Sequence, residues 1–207
     1  DFSSFDAWVE RLAHRRLRWQ PTGIGVTTPA WAADPEYTHE IAQVPNGPEL
    51  HFFYQPGEKT TANWKKLPEF SVKHFEFMNK TFGKYPYDTY SIIQGGDGGM
   101  EYPMICFNGG RPNKDGTFSQ QTMIGMGHVI IHEVGHNFFP MIINSDERQW
   151  SWMDEGLNSF LDKETLQERY PELNYSRGTP KTIVNYMKGE KISPLPETGT
   201  MNAMTYG

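Results

Sequence analysis

Three residues near the middle of the sequence have the types and the spacing of a metal site with a general base. His132, Glu133 and His136 lie in the segment HVIIHEVGHNFF. Histidines four residues apart on a helix lie on one face, so their imidazole nitrogens can share one zinc ion. Glu133 can project beside that ion and take a proton from the water that the metal binds. The alternative is a helix with two hydrogen-bonded histidines, but two buried imidazoles without partners in this apolar segment would be costly.

A zinc site that activates water needs a third protein ligand. The pattern with a glycine three residues and a histidine six residues after the second histidine is excluded, because Phe139 and Ile142 occupy those positions. Glu155 lies nineteen residues after His136, at the predicted start of the next helix, and would complete a His2Glu site. The alternative for Glu155 is a favourable charge at a helix N-terminus.

The elements that must position these residues follow from hydrophobic periodicity. Helices are predicted over 5–19, 60–82, 120–143 and 154–170, with Pro68 tolerated in the first turn of the second. Strands are predicted over 49–54, 90–94 and 100–107, and residues 20–48 are predicted to be a loop or lead-in. Mixed strands and helices of this kind indicate an α+β fold.

The amino-acid composition argues against several classes of protein. The chain has 207 residues, and 14% of them are aromatic, which argues against disorder. No apolar run approaches the ~20 residues of a membrane-spanning helix. The balance of 19 basic and 25 acidic residues gives a net charge of −6, which disfavours nucleic-acid binding. A single cysteine, Cys106, excludes an internal disulfide and a cysteine-based zinc site. Since the sequence starts with DFSSFDAW, we expect it to be part of a longer protein.

Several motifs together resemble one family. HEVGH, followed after eighteen residues by the glutamate of WMDEG, is similar to the aminopeptidase N family of gluzincin zinc metallopeptidases. GGMEYP at 98–103 resembles that family's exopeptidase motif, usually GAMEN; FGKYPYDTY at 82–90 and WAADPEY at 31–37 also match. The resemblance implies a thermolysin-like catalytic domain over 39–207, truncated at its C-terminus, with a mixed sheet lobe followed by a helical zinc-binding lobe. Residues 1–38 would then be the lead-in from a preceding β-rich domain.

The resemblance also implies residue roles and a function, zinc-dependent removal of N-terminal amino acids from peptides. One zinc ion per chain would be bound by His132, His136 and Glu155, with Glu133 as the general base. Glu101 would bind the free α-amine of a peptide substrate, beside Gly98, Gly99 and Met100. Tyr206 would stabilise the oxyanion, with Tyr186 as a weaker competitor.

Two departures from the family pattern leave alternatives open. Tyr102 replaces the usual Asn after the exopeptidase glutamate, and Asp154 replaces the usual Asn before the third ligand. The flanking domains that build part of the cleft in family members lie outside the sequence. A related zinc hydrolase, either an endopeptidase or an epoxide-opening enzyme, and a catalytically silent peptide-binding module therefore remain alternatives. Trp150 and Trp152 are predicted to pack in the core rather than to form a substrate platform. By resemblance only, the GGMEYP variant suggests an exported or periplasmic bacterial enzyme.

Overall fold

The computed structural model describes residues 30, 32–96, 98–109, 120–146, 149–169 and 171. The predicted helix over 5–19 and the segment after residue 171 lie outside these residues. The chain divides into two compact units, Asp1–Gly127 and His128–Gly207. Among the described residues, no helix is both long enough and apolar enough to cross a membrane.

The first unit contains a five-stranded mixed sheet. Its strands are β1 (Thr38–Gln43), β2 (Glu49–Tyr54), β3 (Thr89–Gln94), β4 (Gly99–Tyr102) and β5 (Ile105–Asn108), in the spatial order β1-β2-β3-β5-β4. The inner strands are parallel: β2 pairs with β3, and β3 pairs with β5. The edge strands are antiparallel to their neighbours: β1 pairs with β2, and β4 pairs with β5. Residues 90–94 of the central strand are all buried, as expected for a strand covered on both faces. The prediction of a mixed α+β fold is confirmed.

Two helices connect β2 to the parallel strand β3. They are α1 (Glu58–Trp64) and α2 (Leu67–Thr81). The sequence predicted one helix over 60–82, but the chain turns at Lys65 and Lys66 before α2 begins. Pro68 lies in the first turn of α2, where its missing N–H costs no intrahelical hydrogen bond.

Aromatic side chains hold these helices against the sheet. The ring of Trp64 stacks on that of Tyr54, with 5.4 Å between centroids. The ring of Phe75 contacts Tyr85 and Tyr90 edge-on, at 5.4 and 5.3 Å. All five side chains are almost completely buried, so this cluster forms much of the core of the first unit.

The sheet departs from the sequence prediction at both edges. β1 lies inside the stretch predicted to be a loop or lead-in. The single strand predicted over 100–107 is a hairpin, in which β4 turns at Pro103 and Met104 into β5. Met104 has a φ of 66°, in the left-handed region that the turn requires.

The second unit is helical in its described part. It contains residues 128–138 of α3 (Gln120–Phe138), a 3-10 turn over Ser151–Met153 and α4 (Glu155–Arg169). α3 was predicted to continue to residue 143, but it ends two residues before Pro140, which has no N–H to continue the helix. Trp150 and Trp152 were predicted to pack in the core, but their side chains are 52% and 57% exposed.

Candidate metal centre

The two histidines of the HEVGH segment lie on the last turns of α3 and face the same way. His132 and His136 are both buried, and their Nε2 atoms are 3.1 Å apart. The helical repeat places them one turn above each other, as their spacing predicts. The four-residue spacing therefore brings two potential nitrogen ligands to one point.

The first residue of α4 supplies an oxygen at the same point. Glu155 Oε2 lies 3.1 Å from His132 Nε2 and 3.5 Å from His136 Nε2. In a tetrahedral zinc site with bonds of about 2.0 Å, neighbouring ligand atoms are about 3.3 Å apart. The three separations observed here, 3.1, 3.1 and 3.5 Å, lie on either side of this ligand–ligand distance. His132, His136 and Glu155 therefore form a group that could hold a metal ion.

A buried carboxylate orients the first histidine. His132 Nδ1 donates to Asp162 Oδ2 at 2.7 Å, and Asp162 is 1% exposed. When the ring is neutral, this contact places its one proton on Nδ1, so that the lone pair of Nε2 faces His136 and Glu155. Metal-binding histidines ordinarily have such an outer partner, which fixes the tautomer and raises the basicity of the ligand nitrogen.

The second histidine has an equivalent arrangement. His136 Nδ1 donates to the main-chain carbonyl oxygen of Phe139 at 3.2 Å. The carboxylate oxygen Oδ1 of Asp154 lies 2.7 Å from the same nitrogen as a negatively charged neighbour. Asp154, which departs from the family pattern, thus lies beside a candidate ligand. Its contact, like that of Phe139, favours the tautomer with a lone pair on Nε2.

The electrostatics of the cluster follow from its carboxylates. Burial lowers the pKa of His132, but the hydrogen bonds to Asp162 and Glu155 outweigh burial and raise that pKa to about 9. Burial raises the pKa of Asp162, but its hydrogen bonds to His128 and His132 lower it overall. In metal-free protein at neutral pH, a proton therefore occupies the place where a cation would bind. A divalent cation would have to displace that proton.

An amide on α4 fixes the two helices at the cluster. Asn158 is fully buried, and its Nδ2 donates to the main-chain carbonyl oxygen of His132 at 2.7 Å. A Cβ atom added at Gly135 would overlap the Asn158 carboxamide oxygen and lie 3.1 Å from its Cγ. Gly135, the glycine of HEVGH, therefore allows α4, the helix that carries Glu155, to pack closely against α3.

Glu133, the predicted general base, lies between the two histidines in sequence and is 4% exposed. It belongs to the same turn of α3 as the candidate ligands. Its main-chain carbonyl accepts a hydrogen bond from Asn137 Nδ2 at 3.4 Å. Its position on α3 agrees with the predicted role, which stays a prediction.

The predicted substrate-binding residues belong to the first unit. Glu101 lies on the edge strand β4, where it is half-buried and pairs with Cys106 of β5. Met100 precedes it on the same strand, and Gly98 and Gly99 are exposed just before them. A Cβ atom at Gly98 would meet no described atom within 4 Å. Their predicted contacts with substrate stay predictions, and Tyr206 and Tyr186 lie outside the described residues.

Sequence reasoning missed the outer partners of the cluster. Asp162 and Asn158 lie on the buried side of α4, seven and three residues after Glu155, and His128 lies one turn before His132. Asp162 Oδ2 is 3.4 Å from His128 Nε2 as well as close to His132. The available signal was a row of polar residues at helical spacing on α4, namely Glu155, Asn158, Ser159 and Asp162.

Comparison with known proteins gives no further assignment, since no family model and no curated protein sequence matches the chain.

Proposed function

We propose that the chain is the catalytic part of a zinc-dependent aminopeptidase with a thermolysin-like fold, which removes N-terminal amino acids from peptides. The observation that carries the proposal is the approach of His132 Nε2, His136 Nε2 and Glu155 Oε2 to within 3.1–3.5 Å of one another. The resemblance of HEVGH, WMDEG and GGMEYP to the aminopeptidase N family adds the reaction and the substrate class.

The donor set suits zinc better than the other common cations. Two imidazoles and one carboxylate form the His2Glu set of catalytic zinc sites, whereas magnesium and calcium prefer oxygen ligands. The outer contacts of both rings leave each Nε2 lone pair directed to the common point. Three protein ligands leave a fourth position for water or substrate, as a catalytic site requires.

Bound zinc would supply a Lewis acid that acidifies a water molecule and polarises the scissile carbonyl. Glu133 would accept the proton of the attacking water and deliver it to the leaving amine. Its burial on α3 suits this role, because a partly desolvated carboxylate is a stronger base than an exposed one. Tyr206 would donate a hydrogen bond to the developing oxyanion of the substrate.

Glu101 would select substrates with a free N-terminus. A carboxylate pairs favourably with the α-ammonium group of a peptide, and the half-buried position on β4 strengthens that pair relative to one in water. Binding of the ammonium group by Glu101 would restrict hydrolysis to the first peptide bond of the substrate. This role separates an aminopeptidase from the endopeptidase alternative.

The proposal is tested by two carboxamide variants of the full chain, assayed with aminoacyl and internally quenched peptide substrates. We expect Glu133→Gln to retain zinc and to lower kcat by at least about 100-fold, the usual contribution of a general base. We expect Glu101→Gln to lower kcat/KM for aminoacyl substrates by roughly 10-fold to 100-fold, because a charged hydrogen bond is lost. Glu69→Gln, on the exposed side of α2, is the matched control.

Each assay has an outcome that would refute the proposal. Hydrolysis that is unchanged in Glu133→Gln would exclude the assigned base. Equal, small effects of Glu101→Gln on the two substrate types would exclude selection of the N-terminus and favour an endopeptidase. Zinc binding without hydrolysis of either substrate would favour the silent binding module.

A further inference from the structure

A second cluster of histidines lies on the sheet, away in sequence from the segment that carries the candidate metal centre. His39 of β1 and His51 of β2 are on adjacent antiparallel strands, and His39 Nε2 is 3.0 Å from His51 Nδ1. His39 is directly opposite Phe53 in the strand register, so the two histidines are diagonal neighbours on one face. Two imidazole nitrogens thus meet across a strand pair.

Both rings are held in place by neighbours. The His39 ring stacks on Phe53, with 4.1 Å between centroids and 14° between planes. His51 Nε2 is 3.1 Å from Glu49 Oε1, so this nitrogen carries the ring proton and donates a hydrogen bond to the carboxylate. The lone pair of His51 is consequently on Nδ1, the nitrogen that faces His39. A carboxylate behind a histidine is the usual outer partner of a metal-binding imidazole.

We propose that His39 and His51 bind one divalent transition-metal ion on this face of the sheet, with zinc as the expected occupant and water at the remaining positions. Imidazole nitrogens are ligands of zinc and its first-row neighbours. A nitrogen separation of 3.0 Å is close to the ~3.3 Å between ligands of tetrahedral zinc.

Binding requires a tautomer change and no further reactant. In the hydrogen-bonded pair, the proton between the rings is on His39 Nε2, because His51 Nδ1 is the acceptor. When the ion binds, that proton moves through water to His39 Nδ1, both rings stay neutral, and both facing nitrogens donate lone pairs to the metal. Such a site would clamp the edge strand β1 to β2, and it would raise the midpoint of thermal unfolding when zinc is present.

The test is a zinc titration of the full chain in a His136→Ala background, which removes a ligand of the candidate metal centre and leaves the sheet cluster intact. The probe is zinc alone at pH 7.5, followed by calorimetry and by carbon and nitrogen spectra of the histidine rings. We expect one weak site, with His39 in the Nδ1–H tautomer and His51 in the Nε2–H tautomer. His39→Gln and His51→Gln should each lower its affinity by at least about 10-fold, and so should Glu49→Gln through the loss of ring orientation.

His14→Gln is the matched control, since it removes one histidine from elsewhere in the sequence. Circular dichroism checks that every variant folds. Unchanged affinity in both His39→Gln and His51→Gln, or unshifted signals of their rings, would overturn the proposal and leave a hydrogen-bonded pair. Because the background lacks His136, this result is independent of whether the candidate metal centre binds zinc.

Discussion

The carboxamide of Asn158 occupies the space that a side chain at Gly135 would need. The same carboxamide donates to the main-chain carbonyl of His132, one turn before His136 on α3. This contact between α3 and α4 sets the distance between the histidines and Glu155. The geometry of the candidate ligands therefore depends on Asn158, which is not itself a candidate ligand, and on Gly135, which leaves space for the Asn158 carboxamide because it has no side chain.

Gly135→Ala should damage both stability and zinc binding. The new methyl group would force Asn158 aside, and overpacking of this kind costs about 1–3 kcal/mol of unfolding free energy. Gly125→Ala on the same helix is the matched control, because a Cβ there meets no described atom within 4 Å. We expect the control to be neutral or stabilising by up to about 1 kcal/mol, as for Gly→Ala in a helix. Urea unfolding of both variants measures the difference, and equal effects would contradict the contact.

Asn158→Ala should partly rescue Gly135→Ala. Alone, it removes a buried hydrogen bond and costs about 1 kcal/mol. In the double variant the methyl group has space, so the combined loss should be smaller than the sum of the single losses by about 0.5–3 kcal/mol. A double-mutant cycle by chemical unfolding measures this coupling. Strict additivity would mean that residues 135 and 158 do not constrain each other.

Asp162→Asn should weaken zinc binding without removing a ligand. The amide cannot supply the negative charge that orients His132 and makes its ring more basic, and loss of such outer partners typically costs about 10-fold to 100-fold in metal affinity. Glu164→Gln on the same helix, with a side chain 49% exposed, is the control. Competition with a chelating dye measures both affinities. If the two variants bind zinc equally well, the Asp162 contact has no role in metal binding.

The stability of metal-stripped protein should fall as the pH rises from about 6.5 to about 9. The pKa of His132 is raised to about 9 in the folded chain, against about 6.5 when unfolded. A raised pKa stabilises the fold fully below the unfolded value, and this stabilisation is lost as pH rises through the folded value. This rise in pKa, from 6.5 to about 9, corresponds to an upper limit of roughly 3–4 kcal/mol.

Thermal unfolding after chelation, repeated across this pH range, checks the prediction. Asp162→Asn should show a smaller decline, because its His132 has lost the carboxylate that raises the pKa. Stability that stays constant or increases from pH 6.5 to 9 in the stripped wild-type chain would contradict the assigned ion pairs.

Elements with strong local signals were predicted closely from the sequence. The strand Glu49–Tyr54 has its predicted bounds, because apolar residues between turn-forming segments mark both ends. α4 begins at Glu155, one residue after the start that the acidic residues Asp154 and Glu155 predicted. The convergence of His132 and His136 needed only the helical repeat.

Features that depend on partners distant in sequence were not predictable in this way. β1 has alternating exposed residues at the edge of the sheet, and only its pairing with β2 defines it as a strand. The hairpin between β4 and β5 has Met104 at a left-handed position, where sequence patterns favour glycine or asparagine. The role of Asp162 depends on the packing of α4 against α3, since thirty residues separate it from His132.

The most direct test is the zinc content of the purified full chain, measured by elemental mass spectrometry with and without the substitution His136→Ala. To exclude the weak site proposed on the sheet, both samples also carry His39→Gln and are dialysed against zinc-free buffer at pH 7.5. We predict one zinc ion per chain that is lost in His136→Ala. No zinc after supplementation with the metal, or equal zinc in both proteins, would contradict a metal centre at His132, His136 and Glu155.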